Sequence, residues 1–268
     1  MTDTLRAYHN DHDLRARTIA EMQAHADADE LVQDFGYWDD SGKGCGVGCM
    51  THRKDGGHED YPKRWGIPLI LAHLKDRIFE GLSPDMFREW PTRFLSAIPC
   101  GADLGLVWPR MALDMLVDPE RGSVQWTAVD SASRHAVERV ADLYRQTIAG
   151  ACVTRDAWVE EDRAPAPASC DAVAYASYAA SYAASYAVVA SDGGGGVVAS
   201  AHAASYAVAA HAASYAVAAV AASAHAASYA ASADGGDDAS YAAYARQRHF
   251  AWLADRLVHH LSSGPVAP

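Results

Sequence analysis

Two cysteines and two histidines lie close together in a glycine-rich stretch of the chain. Three residues separate Cys45 from Cys49, and five separate His52 from His58. Sulfur and imidazole nitrogen are donors that suit Zn²⁺, and both spacings lie within the range of zinc ligands. We therefore predict a metal site formed by these four residues, with zinc as the ion and a structural role in fastening the loop. Cys49 and His52 are closer than the paired ligands of a zinc finger, so other interpretations stay open.

The same residues also fit thiol chemistry. Cys45 or Cys49 would be the nucleophile and His52 or His58 the base. A neighbouring carboxylate would orient that base, namely Asp55, Glu59 or Asp60. A third interpretation makes both cysteines small, partly buried side chains of a folded loop. The glycines do not match a phosphate-binding loop, because Lys43 is followed by glycine instead of Ser or Thr.

Helical periodicity predicts the elements on either side of this loop, which spans residues 35–62 and contains seven glycines. Apolar residues recur with a period near 3.6, and no stretch of useful length alternates as a strand would. Pro91 is expected to kink or divide one helix, and Pro109 interrupts another. We predict an all-α fold, with helices over residues 14–32, 68–81, 83–98, 102–117, 131–148 and 154–162.

The second half of the chain has a different composition. A Pro/Ala stretch at residues 164–170 predicts a linker after a first domain of residues 1–163. Residues 171–262 consist mainly of Ala, Ser, Tyr, His and Val, and the tetrad Ala-Ser-Tyr-Ala recurs among them. Such residues favour helix. We predict three packed helices (171–191, 197–233 and 239–261) with tyrosines between them, followed by a tail at 263–268.

Charge and hydropathy exclude several classes of function. The formal net charge is −12, and no run of Lys or Arg is present. Broad binding to a nucleic-acid backbone is therefore not expected. No segment has the apolar content of a membrane span, and no basic-then-apolar signal begins the chain. The five cysteines form no regular disulfide framework. These observations predict a cytoplasmic protein without a membrane segment.

Several short motifs carry a resemblance to known sequences. They are Cys-Gly-Val-Gly-Cys at 45–49, His-Glu-Asp-Tyr at 58–61, Trp-Gly-Ile-Pro at 65–68, Asp-Arg-Ile-Phe-Glu-Gly-Leu at 76–82 and Ala-Ile-Pro-Cys-Gly-Ala-Asp-Leu at 97–104. With them the chain resembles a group of uncharacterised bacterial and phage proteins, which join such a region to an Ala-rich tract with spaced aromatic residues. The C-terminal half is also similar in composition to Ala-rich immunity proteins of toxin systems. The resemblance implies this architecture and no particular activity.

The sequence as a whole predicts a non-enzymatic helical interaction or scaffold protein, associated with a phage or a conflict system. A protein partner or self-association would be its binding mode, and the Cys/His loop would hold a structural metal. The alternative is a metal- or thiol-dependent enzyme that uses Cys45, Cys49, His52 and His58.

Overall fold

The computed structural model describes residues 5–34, 36–127, 129–154, 157–158 and 239–266. Within these ranges the secondary structure is helical, and β pairing is limited to isolated bridges. The predicted all-α class is therefore confirmed for the described part of the chain. The chain divides into two compact units, Met1–Val107 with Ala251–Pro268, and Trp108–Phe250.

Eight α-helices and two 3₁₀ turns make up the described secondary structure. In chain order they are a 3₁₀ turn at Ala7–Asn10, α1 His12–Asp27, α2 Gly48–Thr51, α3 Asp60–Trp65, α4 Leu69–Gly81, α5 Trp90–Ala97, α6 Val107–Val117, a 3₁₀ turn at Ser123–Trp126, α7 Ala132–Ile148 and α8 Ala239–Ser262.

Local signals explain where the first unit's helices begin. The side chain of Asp11 accepts hydrogen bonds from the backbone N–H groups of Asp13 and Leu14, which caps α1. Pro68 is the N-cap of α4, one position before the helix begins, whereas the prediction placed it in the first turn. Pro91 does not kink a helix that begins at residue 83, because the chain turns there and α5 begins only at Trp90. Proline is tolerated in a first turn, since its missing N–H would have no helical partner.

The interval 35–62 is more structured than its glycine content indicated. It contains the one-turn helix α2 and the beginning of α3. Helix α1 ends at Asp27, five residues before the predicted end, and Asp29 has a left-handed φ of 57°. The short helices escaped prediction because one or two turns carry no measurable 3.6-residue period.

The core of the first unit combines residues from distant parts of the sequence. Backbone bonding links its two chain segments, since the Asp103 N–H donates to the Pro265 carbonyl at 2.9 Å. Arg93 and Asp255 form an ion pair of 2.6 Å across the same segments. The fully or nearly fully buried side chains of this core include Leu71, Leu74, Ile78, Phe94, Leu95, Leu253, Leu257 and Leu261.

The described part of the second unit is organised around α7. The hydroxyl of Ser131 accepts a hydrogen bond from the N–H of Arg134 at 3.1 Å, which confirms the predicted cap. On the apolar face, the ring of Tyr144 makes edge contacts with Trp108 and Trp158, with centroids 6.5 and 4.9 Å apart. Val137 and Val140 on this face are also buried, as the periodicity predicted.

Much of the predicted repeat region is not described. The linker at 164–170 and the predicted helices at 171–191 and 197–233 lie outside the described residues, whereas the third predicted helix is present as α8. Among the described helices, none combines the length and the apolar character needed to cross a bilayer.

Candidate functional site

Backbone hydrogen bonds fix the glycine-rich stretch in the first unit. The N–H of Gly44 donates to the carbonyl of Glu30, and the N–H of Val32 donates back to Gly44. The N–H of Cys45 then donates to the carbonyl of Tyr37 at 3.1 Å. A Cβ at position 48 would lie only 1.3 Å from the same Tyr37 oxygen. Glycine is therefore required at Gly48, because no side chain fits between the two backbone segments.

A buried lysine on α4 holds this stretch from within. Lys75 is fully buried, and its ammonium donates to the carbonyl of Gly46 at 2.6 Å and to the hydroxyl of Tyr61 at 2.9 Å. The Tyr61 hydroxyl in turn donates to the sulfur of Met50 at 2.9 Å. Burial lowers the pKa of Lys75 to about 8, although the neighbouring Asp76 carboxylate opposes this change. The lysine thus ties α4, α3 and the loop together through one polar group.

Lys75 was not predicted from the sequence as a residue of the site. The residue lies four positions after Leu71 and four before Phe79, so it shares the buried stripe of α4. Its position on this apolar stripe was the signal in the sequence that could have identified it. A lysine on an apolar stripe is seldom fully buried unless it has partners.

A second polar group lies beside Lys75. The Nε2 atom of His58 is 3.1 Å from Asp76 Oδ2, and the His58 ring stacks on that of His73 at a centroid distance of 4.0 Å. Burial opposes ionisation of Asp76, but His58 and Lys75 outweigh it and hold the pKa of this carboxyl below its usual value. Burial together with the proximity of His58 lowers the pKa of His73 to about 4. Asp76 therefore stays charged near neutral pH while His73 stays neutral.

The two cysteines do not have the properties of reactive thiols. Cys45 and Cys49 are 3% and 0% exposed, and both are free. Burial raises the pKa of each thiol to about 12. At pH 7 about one molecule in 10⁵ would then carry a thiolate. Reactive cysteines need the opposite environment, with partial exposure and a lowered pKa.

The carboxylates predicted to orient a histidine base contact an arginine in the structure. Arg53 lies 2.7 Å from Asp55, 2.9 Å from Glu59 and 3.3 Å from Asp60. These acids therefore hold the guanidinium of Arg53 at the edge of the loop. His58 is instead paired with Asp76, which was not among the predicted orienting carboxylates.

The four predicted metal ligands fall into different places. Cys45 groups with Asp76 and Glu80, while His52 groups with Glu21 and His25, and within each group the ligand atoms lie within 4.8 Å of one another. Cys49 and His58 belong to neither group, although His58 Nε2 lies 3.1 Å from Asp76 of the Cys45 group. Among the described residues, the structure therefore does not bring the four together as one ligand set.

The His52 group lies between α1 and the loop. His25 Nε2 is 3.1 Å from His52 Nε2, and Glu21 Oε1 is 3.9 Å from the same His52 atom. On its other side His25 Nδ1 contacts Glu30 at 2.5 Å. The ring of Trp38 lies against His52 at 4.6 Å. Glu21 and His25 were missed because their partner is 27 or more positions away in sequence.

Comparisons with known proteins find no relative of this chain. No family model, curated protein or solved structure matches the chain. The resemblance to uncharacterised bacterial and phage proteins therefore stays a prediction from the motifs.

Proposed function

We propose that the chain is a non-enzymatic helical interaction protein, in which the glycine-rich loop is a rigid binding element. The observation that carries this proposal is the full burial of the Lys75 ammonium against Gly46 and Tyr61. These bonds restrain the loop, and loops held on a rigid scaffold are common binding sites. A fixed loop also loses less conformational entropy when a partner binds.

The outer side of the loop forms a small mixed surface. We call residues 39–43 and 52–55 the loop surface; most of them are exposed. Lys54 and Asp40 join its two parts through an ion pair of 2.7 Å. Trp38 and His52 supply aromatic area at its edge. Tryptophan and arginine are frequent energetic centres of protein interfaces, and Arg53 lies in the same segment.

The two thiols that a nucleophilic interpretation requires are directed inward. Cys45 and Cys49 are buried with raised pKa values, and Lys75 has no exposed surface. A nucleophile needs access to its substrate as well as reactivity. This favours the interaction protein over the thiol-dependent form of the enzyme that the sequence left as the alternative.

Other features of the proposal are carried from the sequence. The partner is a protein or a second copy of the chain, and broad nucleic-acid binding is not expected at a net charge of −12. The proposal also includes a cytoplasmic location and an association with a phage or a conflict system.

Site-specific photo-crosslinking tests the proposal. A photoreactive amino acid replaces Lys54 on the loop surface in the full-length chain, expressed in its native cells. A second chain carries it at Arg88, a matched control that is also exposed and ion-paired, in its case to Asp29. We expect an adduct with one identified protein, or with a second copy, at position 54 and none at position 88. The complex should then form from the purified components.

Two outcomes would contradict the proposal. One is equal labelling of the same protein at both positions, which would indicate collision. The other is turnover of a small molecule that is abolished by Cys49→Ser in a chain of unchanged helicity.

A further inference from the structure

We propose that Glu21, His25 and His52 bind a divalent transition-metal ion of the zinc class. The site would join α1 to the end of α2, and it does not include either cysteine. The inference goes beyond the proposed function and does not depend on a binding partner.

Helix geometry places two of the three ligands together. Glu21 and His25 are four residues apart on α1, so their side chains lie on the same face of this helix, one turn apart. His52 follows α2 and has a left-handed φ of 53°. This backbone conformation turns the chain sharply at the point where the His52 ring meets α1. It is the left-handed end of α2, where the His52 N–H donates to the carbonyl of Gly48.

The distances between the donor atoms fit a shared ion. Two nitrogens bound to one tetrahedral Zn²⁺ at 2.0–2.1 Å are about 3.3 Å apart. The Nε2 atoms of His25 and His52 are 3.1 Å apart, so a shift of about 0.2 Å brings them to that geometry. Glu21 Oε1 lies 3.9 Å from His52 Nε2. Its side chain is half exposed and free to approach by the remaining fraction of an ångström.

The surroundings orient both rings. His25 Nδ1 lies 2.5 Å from the carboxylate of Glu30, which can accept a hydrogen bond from this nitrogen; in the tautomer with the proton on Nδ1, Nε2 is a lone-pair donor. A carboxylate on the second nitrogen of a metal-binding histidine is a common arrangement, since it fixes the tautomer and strengthens the ligand. Trp38 holds both rings in place, against His52 at 4.6 Å and edge-on to His25 at 5.7 Å.

The donor set indicates the kind of ion. Two imidazoles and one carboxylate suit Zn²⁺, Co²⁺, Ni²⁺ and Cu²⁺ better than Mg²⁺ or Ca²⁺, which prefer oxygen. Three protein ligands leave a further position for water or for a group from a partner. The other group, Cys45 with Asp76 and Glu80, is the weaker candidate. Its thiol has a pKa of about 12, and the ammonium of Lys75 already lies beside Asp76.

The arrangement has one alternative without an ion. Two facing Nε2 atoms at 3.1 Å form a hydrogen bond if His52 carries its proton on Nε2. The experiment must therefore separate a metal site from a histidine pair.

Titration of the full-length, chelator-treated protein with Zn²⁺ alone, and separately with Co²⁺, makes this distinction. We expect saturable binding of one equivalent of metal ion at this site. The bound Co²⁺ should show the visible absorption bands of a complex with a low coordination number. His25→Ala and His52→Ala should each abolish Zn²⁺ binding at this site or lower its affinity about a hundredfold. Glu30→Gln should weaken it by about 10- to 100-fold, as outer-shell changes do. His12→Ala, an exposed change on the same helix, should leave the titration unchanged.

Additional variants cover the remaining outcomes. Glu21→Gln changes an exposed side chain, so it keeps the test valid if His25→Ala fails to fold; it too should weaken Zn²⁺ binding. Cys45→Ser and Cys49→Ser should leave the equivalent in place. The proposal is overturned if no binding saturates, if the Glu21, His25 and His52 variants titrate like the wild type, or if a cysteine variant alone removes the ion.

Discussion

Raising the pH above 8 should stabilise the first unit through Lys75. Burial lowers the pKa of Lys75 from 10.5 to about 8 in the folded chain. Between these values the unfolded chain binds a proton that the folded chain does not, so the free energy of unfolding rises with pH. Across the interval from pH 8 to 10.5 this contribution amounts to about 3 kcal/mol, at about 1.4 kcal/mol per pH unit. Because the side chain has no exposed surface, no reduction for solvent screening applies.

The thiols act in the opposite direction. Burial raises the pKa of Cys45 and Cys49 from 9 to about 12. Above pH 9 the unfolded chain loses protons that the folded chain keeps, so these groups lower stability as the pH rises. The lysine contribution is therefore measured as a difference between the wild type and Lys75→Met, in which both thiols are present.

Urea denaturation followed by tryptophan fluorescence gives the two pH curves. The free energy of unfolding of the wild type, minus that of Lys75→Met, should increase by about 3 kcal/mol between pH 8 and 10.5. Lys63→Met, an exposed lysine change, should follow the wild type. Parallel curves for the wild type and Lys75→Met would refute the buried ammonium. If Lys75→Met does not fold, NMR titration of the wild-type lysine side chains replaces it, and one lysine should deprotonate near pH 8.

Two further predictions concern the packed loop. Gly48→Ala should destabilise the first unit by about 3 kcal/mol or more, because the new Cβ would lie 1.3 Å from the backbone oxygen of Tyr37. Thermal denaturation measures this loss of stability. An unchanged midpoint would contradict the close contact between Gly48 and Tyr37. Iodoacetamide at pH 8 should alkylate the exposed Cys152 at least about a hundredfold faster than Cys45 or Cys49. Peptide mass spectrometry reads the three rates, and labelling of Cys49 at the rate of Cys152 would restore the thiol interpretation.

Periodicity predicted the longer helices because the repeating pattern of apolar residues lies within each helix. α4 and α7 begin within a residue of their predicted starts, after Pro68 and Ser131. In both, one apolar face repeats over three or more turns, and a proline or serine marks the start. Such signals are contained within a dozen residues, so no knowledge of the remaining chain is needed.

The candidate site could be located only in part. The sequence directed attention to the interval around His52 and His58, because donor residues are dense there. It could not supply His25, which reaches His52 only through the packing of α1 against the loop. It also could not separate Cys45 from His52, since spacing along a chain does not determine which side of a turn each residue takes. Lys75 was hidden for a related reason: its partners Gly46 and Tyr61 come from other elements.

The bond between Asp103 and Pro265 has a consequence for how this protein can be divided experimentally. Residues 251–268 contribute Leu253, Leu257 and Leu261 to the core that is otherwise built from the first 107 positions. A fragment cut at the Pro/Ala stretch near 164 would therefore lack one wall of that core and expose the apolar surface beneath it. A fragment made by excising 108–250 and joining the flanking segments with a flexible spacer would keep both walls, and it is the fragment to express first.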